Sequence, residues 1–263
     1  MTTEIEITLK DGVQLIRLAR PEKKNALTGA MYDAMSAALD RGETDDEIAV
    51  HVFIGSGGSF SAGNDINDFA RRSSTPSGGI PTPSLSFIRR LPVTTKPMIA
   101  AVDGLAVGIG TTMLLHCDLV YVSPTASLRT PFLDLGVVPE AASSLLIPQR
   151  AGYVRAFELL CLGQPCDAEA AVRAGLANAV VPQDQLEATA LAAARRLADK
   201  PRDALMLSRR LLRGDNGAIV KRLEEEAAIF GERLTSPEAK EAFAAFFEKR
   251  APDFRKLRGA GKA

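Results

Sequence analysis

The sequence predicts an α/β fold with parallel strand pairing, and three observations carry that prediction. The apolar runs AVHVFIG (49–55), MIAAVDG (98–104) and DLVYV (118–122) have the length and composition of buried strands. Segments with helical periodicity separate them, and a helical crossover is how neighbouring parallel strands are joined. From Asp167 onward the chain reads almost entirely as helix.

The elements follow in order. The N-terminus alternates Ile5, Ile7 and Leu9, turns at Asp11-Gly12 and resumes with Val13, Leu15, Ile16 and Leu18, the pattern of a hairpin. Thr28 stands where an N-cap belongs, before a helix whose apolar face is Met31, Met35 and Leu39 and whose stop is expected near Gly42. The strand at 49–55 runs into a turn rich in glycine and serine. Positions 73–84, SSTPSGGIPTPS, read as the most loop-like stretch, because Pro76, Pro81 and Pro83 with Gly78 and Gly79 oppose a regular element. A helix is expected from about Gly108 to His116, and a further strand near Ser127. Asp167 caps a helix ending at Gly175, and Asp184 opens another. Ile219, Leu223, Ala227, Phe230 and Leu234 then form a stripe at helical spacing. Ser236-Pro237-Glu238 starts a last helix, with a capping serine and a proline in the first turn. Phe243, Phe246 and Phe247 are more aromatic surface than one exposed helix should show, so they are expected against another element or another subunit.

Composition excludes several functions. The chain of 263 residues has 32 Lys+Arg against 32 Asp+Glu and is 46% apolar, which fits one large domain, or one domain with a helical appendage. A balanced charge opposes a general nucleic-acid or membrane-surface binder, which needs a basic excess. The one basic cluster is Arg255, Lys256, Arg258 and Lys262, without acids, and it reads as a solvated tail. His51 and His116 are the only histidines, and Cys117, Cys161 and Cys166 the only cysteines. With no second cysteine pair, a structural zinc site is not expected. An odd cysteine count, no charged-then-apolar leader and no apolar run of about 18 residues point to a reducing, cytoplasmic setting with free thiols.

Two glycine turns and one carboxylate carry the chemistry. GSFSAGNDI (58–66) follows the first buried strand, and GLAVGIGTT (104–112) links the second to a helix. Glycine lets backbone N–H groups face a cavity without a Cβ in the way, and a helix start adds free donors. Two such turns could form an oxyanion hole; spacing alone also allows two tight packing turns. In DLGVVPEAASS (134–144), Glu140 follows an apolar Val137-Val138-Pro139 run. A carboxyl in such a pocket has a raised pKa and can act as a base at neutral pH. A first-turn glutamate favouring the helix dipole is the other reading.

These residues resemble the crotonase (enoyl-CoA hydratase/isomerase) superfamily over nearly the whole chain. RPEKKNALT (20–28), FSAGNDI (60–66), KPMIAAVDGLAVGIG (96–110), CDLVYV (117–122), TPFLDLGVVPEAASS (130–144) and AGLANAVVP (174–182) match its segments in order. The resemblance implies a spiral core of repeated ββα units over 1–200 that carries an acyl-CoA site. It also implies a helical C-terminal oligomerisation region over 201–263, and a homotrimer or dimer of trimers. The substrate is an acyl-CoA thioester, with coenzyme A part of the substrate and no separate cofactor, metal, nucleic acid or membrane involved.

Carried over by position, the oxyanion donors are the backbone N–H groups of Asn64 and Ile109. Ala62, Gly63, Asp65, Ile66, Gly108 and Phe132 belong to the substrate site. Lys24 and Lys249 match the family's first-loop and C-terminal lysines that contact CoA phosphates, and solvated charge is equally open for both. Hydratases of the family use two glutamates, and this chain has Thr112 and Phe132 in their places. Glu140 matches the single glutamate of the Δ3,Δ2-enoyl-CoA isomerase branch. The expectation is therefore an isomerase that converts 3-enoyl-CoA to trans-2-enoyl-CoA through one carboxylate. Phe132 also opposes a dienoyl-CoA isomerase, which needs a second acid there. Alternatives are an atypical hydratase, a thioesterase, or a non-catalytic acyl-CoA-binding member. Asp65 and Asp118 are expected to brace turns rather than do chemistry, and His116 to be a satisfied core histidine.

Overall fold

A computed structural model gives the fold and describes residues 3–67 and 82–259. Strands β1 (Ile5–Lys10) and β2 (Val13–Leu18) form the expected hairpin, pairing from Ile5↔Leu18 to Lys10↔Val13. Asp11 and Gly12 both take positive φ, as a two-residue turn of that hand requires. β3 (Val50–Gly55) adds in parallel to β2, and β4 (Met98–Val102) in parallel to β3. With β6 (Leu119–Val122) and β9 (Ala179–Val180) they make a six-stranded sheet ordered β1-β2-β3-β4-β6-β9. A second sheet joins β5 (Leu105–Val107), β7 (Ser127–Arg129) and β8 (Cys166–Asp167).

The central strands are buried on both faces, which explains their unbroken apolar runs. Val50, Val52 and Ile54 face one way, with Ile99 and Ala101, and pack under Leu186, Ala190 and Ala194 of one helix. Phe53, Met98, Ala100 and Val102 face the main core on the other side.

Helix α1 (Gly29–Thr44) starts at Thr28, whose Oγ1 accepts the Met31 N–H at 3.3 Å. It stops at Thr44, two residues past Gly42. Asp45 caps that end: its N–H bonds the Arg41 carbonyl and its carboxylate pairs with Arg41 at 2.8 Å. Gly42 lies inside the helix because any Cβ there would overlap the buried His51 ring of β3.

Of the loop expected at 73–84, residues 73–81 lie outside the described residues. Thr82 to Ser84 open helix α2 (Thr82–Val93), where Pro83 sits in a first turn that has no N–H bond to lose. The segment after Gly108 divides into α3 (Ile109–Thr112) and a 3-10 turn, Met113–His116. Then come α4 (Ser143–Ala151), α5 (Tyr153–Leu160) and α6 (Ala168–Arg173), the last capped by Asp167 accepting the Ala170 N–H at 2.7 Å. Asp184 lies in a 3-10 turn, Gln183–Gln185, that leads directly into α7 (Leu186–Ala198).

Helices α8 (Arg202–Arg213), α9 (Gly217–Leu234) and α10 (Pro237–Phe247) complete the chain's regular structure. The α9 stripe buries Leu223, Phe230 and Leu234 in the main core, joined there by Phe243 of α10. Phe246 and Phe247 stay half-exposed and pack edge to face at 5.8 Å. The C-terminal basic cluster is not free of acids, since Lys256 pairs with Asp253 at 3.2 Å; Lys262 lies outside the described residues. Among the described residues no helix is long and apolar enough to cross a membrane.

Candidate active site

The two glycine turns lie side by side. Phe60 and Ser61 donate their N–H groups to the Leu105 carbonyl at 3.0 and 2.9 Å, and Val107 N–H returns to Ser61 O at 2.9 Å. The segment after β3 is thereby zipped along β5. Gly63, with φ +84, is required at the crossing, because a Cβ would lie 2.7 Å from the Val107 carbonyl oxygen. Leu27 pins the backbone on both sides of Asn64. Its N–H bonds Gly63 O at 2.7 Å and its carbonyl takes the Asp65 N–H at 2.9 Å. That leaves the Asn64 N–H pointing away. Gly108, with φ +55, turns the chain into α3, and Ile109 is that helix's first residue. Among the described residues, neither the Asn64 nor the Ile109 N–H has an acceptor.

Both turns open on a cavity of about 370 Å³. Ala62, Gly63, Asn64, Ile66, Val107 and Gly108 line it from the turns; Phe132, Leu135 and Val137 add an apolar lining, and Phe230, Phe243 and Phe246 come from α9 and α10. Glu140 also reaches it, and only 3% of that residue is exposed. Glu140 sits in a turn of unusual shape, since Ala141 and Ala142 after it both hold φ 57. The turn is closed by Ser143 N–H bonding Glu140 O at 3.0 Å. His116 Nε2–H donates to Ala141 O at 2.9 Å. Two backbone N–H groups without acceptors, beside an apolar cavity with one buried carboxyl, suit proton transfer next to a carbonyl.

The family model for enoyl-CoA hydratase/isomerase matches residues 8–257. The chain belongs to the enoyl-CoA hydratase/isomerase family. It is 33% identical to rat enoyl-CoA delta isomerase 2 over 254 residues, covering 94% of this chain and 64% of that protein. It therefore spans about two thirds of that relative's length. It is also 33% identical to the 1,2-epoxyphenylacetyl-CoA isomerase of Escherichia coli over 257 residues, covering 94% of this chain and 96% of that one. Relatives named as hydratases stand at nearly the same identity. A solved enoyl-CoA hydratase/isomerase from Pseudoalteromonas atlantica superposes with a TM-score of 0.89 at 40% identity, covering 96% of this chain and 100% of that one. The fold is accordingly the crotonase fold, and the chain is an enzyme of a family that acts on acyl-CoA thioesters.

Within this family member, the sequence-derived residues divide into two groups. Ala62, Gly63, Asn64, Ile66, Gly108, Phe132 and Glu140 meet at one cavity. Ile109 adjoins it through its backbone, with its side chain buried in the core. Asp65 does not line the cavity. Its carboxylate pairs with Arg20 at 2.7 Å and accepts the Asn67 N–H at 3.0 Å, so it braces the turn. Asp118 does likewise, accepting the Met98 N–H at 2.8 Å and pairing with Arg209 at 2.9 Å. Lys24 and Lys249 also stand outside the cavity lining, both exposed and both at positive φ. Lys24 approaches the site only through its carbonyl, which takes the Ala62 N–H at 2.8 Å.

Burial pushes the Glu140 carboxyl up to about 8, and the negative charge of Glu226 adds to the effect. Glu140 Oε1 has no hydrogen-bond partner among the described residues, so nothing favours its ionised form. Burial also holds His116 down to about 4, against its bond to Ala141 O, so it is a neutral core histidine. Cys117 is pushed up to about 12 by burial, with Asp118 contributing, and is no nucleophile. Among the described residues no cluster of His, Cys, Asp or Glu could hold a metal ion.

Two residues of this site are not visible in the motifs. Tyr32, 2% exposed, donates its hydroxyl to Asn64 Oδ1 at 2.6 Å and packs on Phe87 at 5.7 Å. Glu226 of α9 accepts the Ala142 N–H at 2.6 Å and the Ser144 N–H at 2.9 Å. One signal for Glu226 exists: it interrupts the apolar face between Leu223 and Phe230, where a glutamate needs a reason.

Proposed function

We propose that the protein isomerises 3-enoyl-CoA esters to trans-2-enoyl-CoA, with Glu140 as the one acid–base group. The observation that carries this reading is the cavity's chemistry. Among the described residues, Glu140 is its only buried carboxyl, since Asp134, the other acid lining it, is exposed to solvent. The thioester oxygen accepts the N–H groups of Asn64 and Ile109. Glu140 takes the C2 proton, and the C2–H electron pair delocalises into a dienolate held by those donors. The π electrons then settle between C2 and C3, and Glu140 returns its proton to C4. Losing one oxyanion donor costs about 10²- to 10³-fold in rate in comparable sites.

Shifting a double bond needs one proton carrier, whereas adding water needs a second group to activate it. Phe132 and Thr112, both buried, stand where the resemblance puts the hydratase carboxylates, and neither can do that work. Water addition is the second reading, favoured by the hydratases among the relatives. Incubation with 3-enoyl-CoA and 2-enoyl-CoA separately distinguishes the two. Isomerase turnover that is lost in Glu140→Gln supports the proposal, and hydration of the 2-enoyl ester would sink it. The exposed apolar side chains Tyr153, Val154 and Phe157 of α5 support the trimeric assembly the resemblance implies, testable by sedimentation.

A further inference from the structure

Glu226 is a second buried carboxylate beside Glu140, 5% exposed, on a helix whose sequence is otherwise ordinary. Both of its oxygens are engaged with the Glu140 turn, Oε2 by the Ala142 N–H and Oε1 by the Ser144 N–H. Those donors belong to the start of α4, which has no side-chain cap of its own. The carboxylate thus does from another helix what an N-cap residue does locally. The turn needs such a clamp, because two successive alanines in the left-handed region are strained. From the other side, His116 holds Ala141 O.

Glu226 has no direct ion pair, although the Arg222 charge favours its ionised form. Among the described residues no cation forms a salt bridge with it. The nearest candidate, Arg222, donates to Ser144 Oγ at 3.1 Å and pairs with Glu225 at 3.1 Å.

We propose that Glu226 is a positioning residue for Glu140: its carboxylate fixes the turn that carries Glu140 and supplies the negative charge against which Glu140 must ionise. This rests on the reading of Glu140 as the base. Two neighbouring buried carboxyls do not both ionise freely, and hydrogen bonding decides which does. Glu226 accepts two backbone N–H bonds, whereas Glu140 Oε1 accepts none, so Glu226 carries the charge and Glu140 the proton. The other charged groups around Glu140 do not compete. Asp134, on the 3-10 turn Leu133–Leu135, is exposed; Arg233 of α9 is taken up by Glu238 at 3.0 Å and by Gly136 O; His116 is neutral; and α10 contributes only Phe243 and Phe246 to the cavity. Burial leaves Glu226 raised as well, but the bonds from Ser144 and Ala142 and the Arg222 charge oppose that rise, whereas both influences on Glu140 are upward.

The test reads Glu140 directly. The infrared C=O stretch of its protonated carboxyl, assigned by its loss in Glu140→Gln, is titrated in full-length wild type, Glu226→Gln and Glu226→Asp. Glu226→Gln keeps the shape and one acceptor but removes the charge. The Glu140 ionisation constant should rise about tenfold, moving the midpoint toward lower pH. The pH profile of kcat/KM for 3-enoyl-CoA should shift with it. Glu226→Asp, which restores the charge, should return the midpoint toward wild type. A midpoint unmoved in Glu226→Gln, even with lowered thermal stability, would leave only a structural clamp and overturn the inference. The two readings fail separately: full isomerase activity in Glu140→Gln removes the base assignment, whereas an unmoved midpoint removes the role of Glu226.

Discussion

The two glycine turns and the Glu140 turn meet at one cavity but are built by opposite means. The turns at Gly63 and Gly108 draw their donors from backbone, and their shape follows from glycines within a few residues of each donor. The Glu140 turn contains no glycine. It holds Ala141 and Ala142 at positive φ, and what keeps it there comes from His116 and from Glu226, distant in sequence. The glycines that shape those turns are local, although Leu27 and Val107 fix where they sit, whereas the contacts that hold Ala141 and Ala142 come from distant elements. A backbone donor tolerates side-chain change and a lone acid does not.

The largest expected effect lies on the acid side. Glu140→Gln should lower kcat for 3-enoyl-CoA by about 10²- to 10⁴-fold with KM little changed, because the amide keeps the shape but carries no proton. On the donor side, Gly63→Ala should cost about 10²-fold in kcat/KM, since its methyl would push on the Val107 carbonyl and displace the donors. Gly108→Ala makes the paired control. A Cβ there meets nothing within 4 Å, so only backbone strain remains and the loss should be smaller, by steady-state kinetics on both variants.

A pH series sharpens the same contrast. The rate constant kcat/KM should climb with pH and level off above about 8, where Glu140 is ionised. Stability should move the other way. Between the ordinary carboxylate value of 4.5 and about 8, the folded chain holds a proton on Glu140 that the unfolded chain has released. Stability from this group is thus complete at acid pH and declines as pH rises through that window. The thermal midpoint of Glu140→Gln should pull further ahead of wild type from about pH 5 to above pH 8, by calorimetry. The smallest effect is Tyr32→Phe, which removes the bond to Asn64 Oδ1 at a cost of about 1 kcal/mol in stability and a few-fold in rate.

What could be read from sequence follows the same division. The caps at Thr28, Asp167 and Ser236, the Asp11-Gly12 hairpin and both glycine turns are legible because neighbours within four residues decide them. The reason for Gly42 near the end of α1 is not, because that glycine clears His51 on a strand. Pro83 misleads for a related reason: a proline that breaks a helix interior is welcome in its first turn. Asp65 is adjacent to Asn64, yet its carboxylate belongs to Arg20, and no spacing rule reveals that partner. Glu226 is the clearest case, one acid among Glu224, Glu225 and Glu226, set apart only by the face it occupies.

The last two helices bring Phe230, Phe243 and Phe246 to the cavity and Glu226 to the back of the Glu140 turn, whereas both glycine turns are complete by residue 109. During synthesis, a ribosome will have released both glycine turns and Glu140 well before α9 emerges. A chain halted at that stage lacks the Phe230, Phe243 and Phe246 side of the cavity and the Glu226 clamp on the Glu140 turn. A product cut before α9 should therefore be a poor catalyst rather than a slightly weaker one.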